Sequence, residues 1–122
     1  MAEPQPPVEH IPAEPTDEID RADLLVVLDA GVGRFLQGVE TEPVLEEGRF
    51  VGFRLVSLYP QDERMARIDL RPGDVVLRVN AMPIERPEQL LRVWDGLRVA
   101  SDLFIEYQRG GERRELRFRI VD

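Results

Sequence analysis

Leu70-Arg71-Pro72-Gly73-Asp74-Val75-Val76-Leu77-Arg78-Val79-Asn80 is the stretch on which the fold turns, a tight reversal that feeds at once into a strand. In Arg71-Pro72-Gly73-Asp74 the proline ring fixes φ near the value that position i+1 of a type II turn needs, and the glycine accepts the positive φ required at i+2. Val75, Val76, Leu77 and Val79 are apolar and mostly β-branched, with Arg78 the one polar interruption, as expected of a strand covered on both faces. Such a segment is structural and carries no chemistry of its own.

Downstream of it, Asn80-Ala81-Met82-Pro83 predicts the next reversal. Pro87 suits the first helical position, where its missing N–H is not needed, and Leu90, Leu91, Val93, Trp94 and Leu97 follow at helical spacing, with Gly96 near the end. The last segment is a hairpin. Leu103, Ile105 and Tyr107 alternate in one strand, Gly110-Gly111 turns, and Leu116, Phe118 and Ile120 alternate with Glu115, Arg117 and Arg119 in the other.

Upstream, Pro60 ends a strand expected over Arg49 to Leu58, and Asp62 is placed to cap a short helix through Met65, Ala66 and Ile68. Glu46-Glu47-Gly48 reads as a turn, and Val39 to Leu45 as extended chain around Pro43. Asp20 is a plausible N-cap for a helix with Leu24, Leu25, Val27 and Leu28 on its apolar side; Gly31 stops it, and a second helical turn through Arg34, Phe35 and Leu36 ends at Gly38. Residues 1–16 hold half of the prolines among glutamates and bury too little to offset their ordering entropy, so they are expected to be a disordered linker. The division that follows is a linker over 1–16, a helical extension over 17–38 and a domain over 39–122.

These elements predict an α+β fold, a small and mostly antiparallel sheet closed into a partly open β-barrel and capped by two helices, with an extra N-terminal helix. At 122 residues the chain allows one such domain with tails. Its formal net charge of −8 excludes the concentrated basic face that nucleic-acid binding needs. All sixteen basic residues are arginine and there is no cysteine, so neither a disulfide framework nor a thiolate metal site is available. No run reaches the ~18 apolar residues of a membrane span.

Over Val39 to Ile120 the sequence resembles the bacterial type of PDZ domain. Phe50-Val51-Gly52-Phe53 looks like the family's Φ-Gly-Φ carboxylate-binding loop, Ile68 to Asn80 matches in order and spacing, and the Pro87 to Leu97 helix follows where the family has one. The Asp20-Arg21-Ala22-Asp23-Leu24-Leu25 helix, the Glu46-Glu47-Gly48-Arg49 turn and Gly52-Phe53-Arg54-Leu55 resemble more closely the periplasmic region of the type II secretion inner-membrane component C. Ala81 departs from the family's Asn-Gly, because alanine resists the positive φ of that turn.

The resemblance implies a non-enzymatic protein-interaction module in the periplasm, anchored in the inner membrane by a segment not in this chain and making no membrane contact itself. Its partners would be a protein or peptide ligand, such as exported proteins, the secretin or other secretion-system subunits. An extended ligand would add beside Gly52 to Leu58, its carboxylate held by the amides of Val51, Gly52 and Phe53 with Arg49 nearby, and Leu55 on the same strand. Pro87, Leu91 and Trp94, at i, i+4 and i+7, would face the groove, with an apolar preference where relatives place a histidine at the Pro87 position. The alternative is a regulatory PDZ domain of a periplasmic serine protease or site-2 type metalloprotease, or else a free-standing scaffold. No cofactor or metal is expected. Catalysis within the chain is not expected either, since the only histidine, His10, lies in the linker and only Ser57 and Ser101 are serines.

Overall fold

The computed structural model describes residues 17–58 and 68–122. The helix expected from Asp62 lies mainly outside them. In chain order the elements are β1 (Asp17–Asp20), α1 (Arg21–Ala30), α2 (Val32–Gln37), β2 (Val39–Glu46), β3 (Arg49–Leu58), β4 (Val75–Val79), β5 (Met82–Pro83), α3 (Pro87–Gly96), β6 (Asp102–Arg109) and β7 (Glu112–Val121). The strands form one sheet in the order β1-β7-β6-β4-β3-β2, with β5 paired to β4 off that path. Every pairing is antiparallel except β1 with β7.

The opening stretch folds as its chemistry dictates. Gly73 takes φ +97 and the Asp74 N–H donates to the Arg71 carbonyl at 3.0 Å, closing the turn. Val75, Val76 and Leu77 are buried and Arg78 is exposed. Asp74 is buried as well, with 2 % exposure. It accepts from the Arg71 N–H at 2.9 Å and from Arg109 Nε and Nη2 at 2.9 and 2.8 Å, so the turn is tied to the far end of β6. Burial pushes the Asp74 carboxyl up, but the Arg109 and Arg71 hydrogen bonds and the two guanidinium charges outweigh it and hold it below its ordinary value. The same pairing raises Arg109.

Beyond β4, Asn80 and Ala81 both take positive φ, +50 and +65, between the paired Val79 and Met82. That is the two-residue type I′ connection, so the alanine is held in a conformation that disfavours its Cβ. Asn80 secures it by accepting from the Phe104 N–H at 2.7 Å and donating to the Asp102 carbonyl at 3.1 Å. Ala81→Gly is expected to raise stability by about 1 kcal/mol, read as a higher urea midpoint with an unchanged slope. A lower midpoint would refute the strain.

Two features of the N-terminal segment differ from the expectation. Asp17 to Asp20 form a strand, register-matched to Phe118 through Val121, because β7 offers an unpaired edge that overrides the poor strand propensity of three acidic residues in four. Helix α1 is also no appendage. Leu24 and Leu28 lie in the same core as Leu55, Val76, Trp94, Tyr107, Phe118 and Ile120. Asp20 does precede α1, though its side chain makes no capping hydrogen bond. Arg21 instead fastens the start of the helix, donating to the carbonyls of Arg98 at 2.7 Å and Ala100 at 3.0 Å and pairing with Asp122.

A candidate peptide-binding edge and its comparison with known structures

The groove residues expected from sequence fall into three places. The first is the interior of the sheet. β3 pairs with β2 from Arg49 to Leu58, while Phe53 and Arg54 also pair with Val76 and Val75 of β4 and the Leu55 N–H donates to Asp74. Strand addition beside Gly52 to Leu55, the first part of the expected Gly52 to Leu58 edge, has no free side to use, because β3 is paired on both sides there. The Φ-Gly-Φ pattern at Val51-Gly52-Phe53 has another cause. A Cβ on Gly52 would stand 2.3 Å from the Val76 carbonyl oxygen, so the neighbouring backbone approaches as closely as only glycine permits. Gly52→Ala is expected to cost about 1–3 kcal/mol by forcing β3 from β4, seen as a lower thermal midpoint. An unchanged midpoint would show that β4 gives way freely. Leu55, at 5 % exposure, is core.

The second place is the tip of the β2–β3 hairpin. Arg49 is exposed opposite Glu46, and Phe50 meets Phe53 edge-on at 5.0 Å between ring centroids. Val51 is skipped in the β2 register and lines, with Phe50, Leu77, Arg78 and Pro83, an open depression of about 270 Å³. This depression lies at the end of β3 that leads away from the α2–β2 junction.

The third place is α3. Its start is built as the sequence predicts, with Pro87 at the first position and the Arg86 N–H accepted by the Gln89 side chain at 2.9 Å. Pro87 and Leu91 are exposed, Leu91 at 47 %. Trp94 is not part of an open wall. It is 9 % exposed, its ring meets Phe35 of α2 at 5.4 Å, and its Nε1–H donates to the Leu28 carbonyl at 3.3 Å. Helical periodicity places Trp94 on the Leu91 side of α3, but α1 and α2 cover that end of the helix.

The free edge lies one strand over. Among the described residues the sheet ends at β2, which pairs with β3 alone, and Pro43 in its middle is tolerated because an edge strand can lack a donor. At its start β2 meets α3 through α2: Phe35 touches Trp94, and the next residue, Leu36, is 43 % exposed. Leu36 and Leu91 therefore flank the Phe35–Trp94 pair as exposed apolar side chains. The sequence held a signal for this site, since Leu36-Gln37-Gly38-Val39 also sets a glycine between apolar residues just ahead of an extended segment. Among the described residues no cluster of histidine, aspartate and glutamate could hold a metal ion, and no helix is long and apolar enough to cross a membrane.

No family model and no curated protein matches the sequence. Solved structures do resemble it. Two forms of the PDZ domain of EpsC from Vibrio cholerae, both 15 % identical, superpose with TM-scores of 0.52 and 0.50, covering 80 % and 70 % of this chain and 95 % and 97 % of theirs. The PDZ domain of the pullulanase C protein of the type II secretion system from Klebsiella pneumoniae, solved in complex with a fatty acid, is 22 % identical with a TM-score of 0.50, covering 78 % of this chain and 98 % of its own. With the type II turn, the helix of Pro87 to Gly96, the terminal hairpin and the sheet order all in place, the fold of this chain is that of a PDZ domain.

Proposed function

We propose that this chain is a non-enzymatic interaction module of a type II protein secretion system, acting in the periplasm as part of an inner-membrane-anchored protein of the component C kind. It recruits exported proteins or neighbouring subunits, the secretin among them, by adding an extended segment of the partner to the edge of β2 beside α3. The observation that carries this reading is that, among the described residues, no strand pairs with the outer side of β2, while Leu36 of α2, just ahead of β2, and Leu91 of α3 stand exposed on either side of the Phe35–Trp94 contact. An extended peptide satisfies such an edge by main-chain hydrogen bonds and is selected by side-chain contacts alongside it. The likeness to two such PDZ domains, in three structures that are each covered almost completely, supports the assignment to that machinery.

The test is an NMR titration of the chain with purified exported proteins and with the periplasmic domains of the secretin. Shifts at Leu36 to Val44 and at Pro87 to Leu91 are expected. Perturbations confined to α1 and β7 would move the interface away from this edge. The Klebsiella neighbour favours one further occupant, an acyl chain lying over Leu36 and Leu91. Oleate added to the same sample checks it, because competition with the protein partner at Leu91 is expected if the two share the site.

A further inference from the structure

We infer that the groove takes the middle of an extended, cationic segment and not a free carboxyl terminus. The inference rests on the β2 edge being the binding edge and names the class of ligand that fits there. A chain end needs two things, a cluster of unspent N–H groups for its carboxylate and a pocket for its last side chain. Among the described residues neither is present at the α2–β2 junction.

Helix α2 runs to Gln37, so the N–H groups of Leu36 and Gln37 point back along the helix, and the Gly38 N–H donates to the Phe35 carbonyl at 3.1 Å. The amides that would have converged on a carboxylate are consumed by the helix and its end. The pocket is consumed as well. Trp94, Phe35 and the backbone of Leu28 occupy the volume beside the last turn of α3, with α1 packed behind them. What remains among the described residues are the exposed side chains of Leu36 and Leu91 on either side of the closed Phe35–Trp94 contact, a surface that a passing strand can lie on but that a terminal residue cannot enter.

Charge points the same way. From Gly31 to Glu47 the sequence has one cation, Arg34, and carboxylates at Glu40, Glu42, Glu46 and Glu47. Arg54 answers Glu42 at 2.9 Å, and Glu40 accepts the Ser57 hydroxyl at 3.1 Å. With Arg49 opposite Glu46 as well, the edge keeps a small excess of carboxylates, which repels a terminal carboxylate and attracts arginine or lysine side chains placed along an added strand.

Selection of random dodecapeptides on the whole immobilised chain tests this, using one phage library with a free carboxyl end and one flanked by protein on both sides. Enrichment is expected from the flanked library, in sequences rich in arginine and lysine. Synthetic copies should bind within about twofold as acids or as amides, and weaken as salt is raised. Glu40→Gln with Glu46→Gln, or Leu91→Asp alone, should weaken them by about fivefold or more. Enrichment only from the free-end library, or a loss of about tenfold on amidation, would overturn the inference and leave the β2 edge standing. Flanked winners without basic residues would overturn its charge component. Winners whose NMR shifts avoid β2 and α3, or no winners from either library, would remove the edge as the binding site and the inference with it.

Discussion

Trp94→Ala is expected to lower stability by about 3–5 kcal/mol, the cost of emptying a large aromatic site in a packed core. The indole closes against Phe35 at 5.4 Å and shares one cluster with Leu24, Leu28 and Leu97, so its removal separates α3 from both N-terminal helices at once. The Nε1–H bond to Leu28 adds a smaller loss, about 1 kcal/mol, which Trp94→Phe removes together with part of the indole's packing. Leu91→Ala, three residues earlier and 47 % exposed, should change stability by less than about 0.5 kcal/mol and act on partner affinity instead. Urea unfolding of the three variants separates the two roles. A Trp94→Ala protein as stable as the parent would place the indole outside the core.

Asp74→Ala is the next largest, at about 3 kcal/mol. The substitution removes both Arg109 contacts and the acceptor for the Arg71 N–H in one step. The loss stays near the low end for a broken buried pair because the Arg109 side chain keeps 20 % exposure and can turn to water. The pH dependence follows from the sign of the shift. Asp74 is held below its ordinary value in the folded protein, so its contribution is complete above about pH 4, the unfolded value, and is lost as pH falls through the lower folded one. Urea midpoints taken from pH 7 to pH 3 should fall more steeply for the parent than for Asp74→Asn. Parallel curves would show that the carboxylate carries no net charge stabilisation.

What the sequence made legible was local. The Arg71-Pro72-Gly73-Asp74 turn, the Gly110-Gly111 hairpin and the Pro87 start of α3 each depend on the φ preferences of one or two residues, and each stands where those preferences put it. The sites that misled depend on neighbours far along the chain. Gly52 between apolar residues reads equally as a ligand-facing loop or as the point where β4 presses on β3, and only the pairing of both edges of β3 decides. Trp94 lies on the same helical stripe as Leu91, and the register of α3 does not say that α1 and α2 cover one end of that stripe and leave the other bare. Asp17-Glu18-Ile19-Asp20 has almost no strand propensity and becomes a strand because β7 would otherwise stand unpaired.

That last pairing also decides how the domain answers a pull. Because β1 runs parallel to β7, a pull applied at Asp17 against Asp122 acts along the strand axis, and the ladder from Asp17↔Phe118 to Asp20↔Val121 is strained in shear, all of its bonds together rather than one after another. Immediately behind it stand the Arg21 contacts to Arg98, Ala100 and Asp122. A tether on that side should give way in one rupture, with Arg21→Ala lowering the force, and stepwise peeling in an optical trap would contradict it. The short acidic strand thus braces one end of the described sheet against such a pull, at the edge opposite β2.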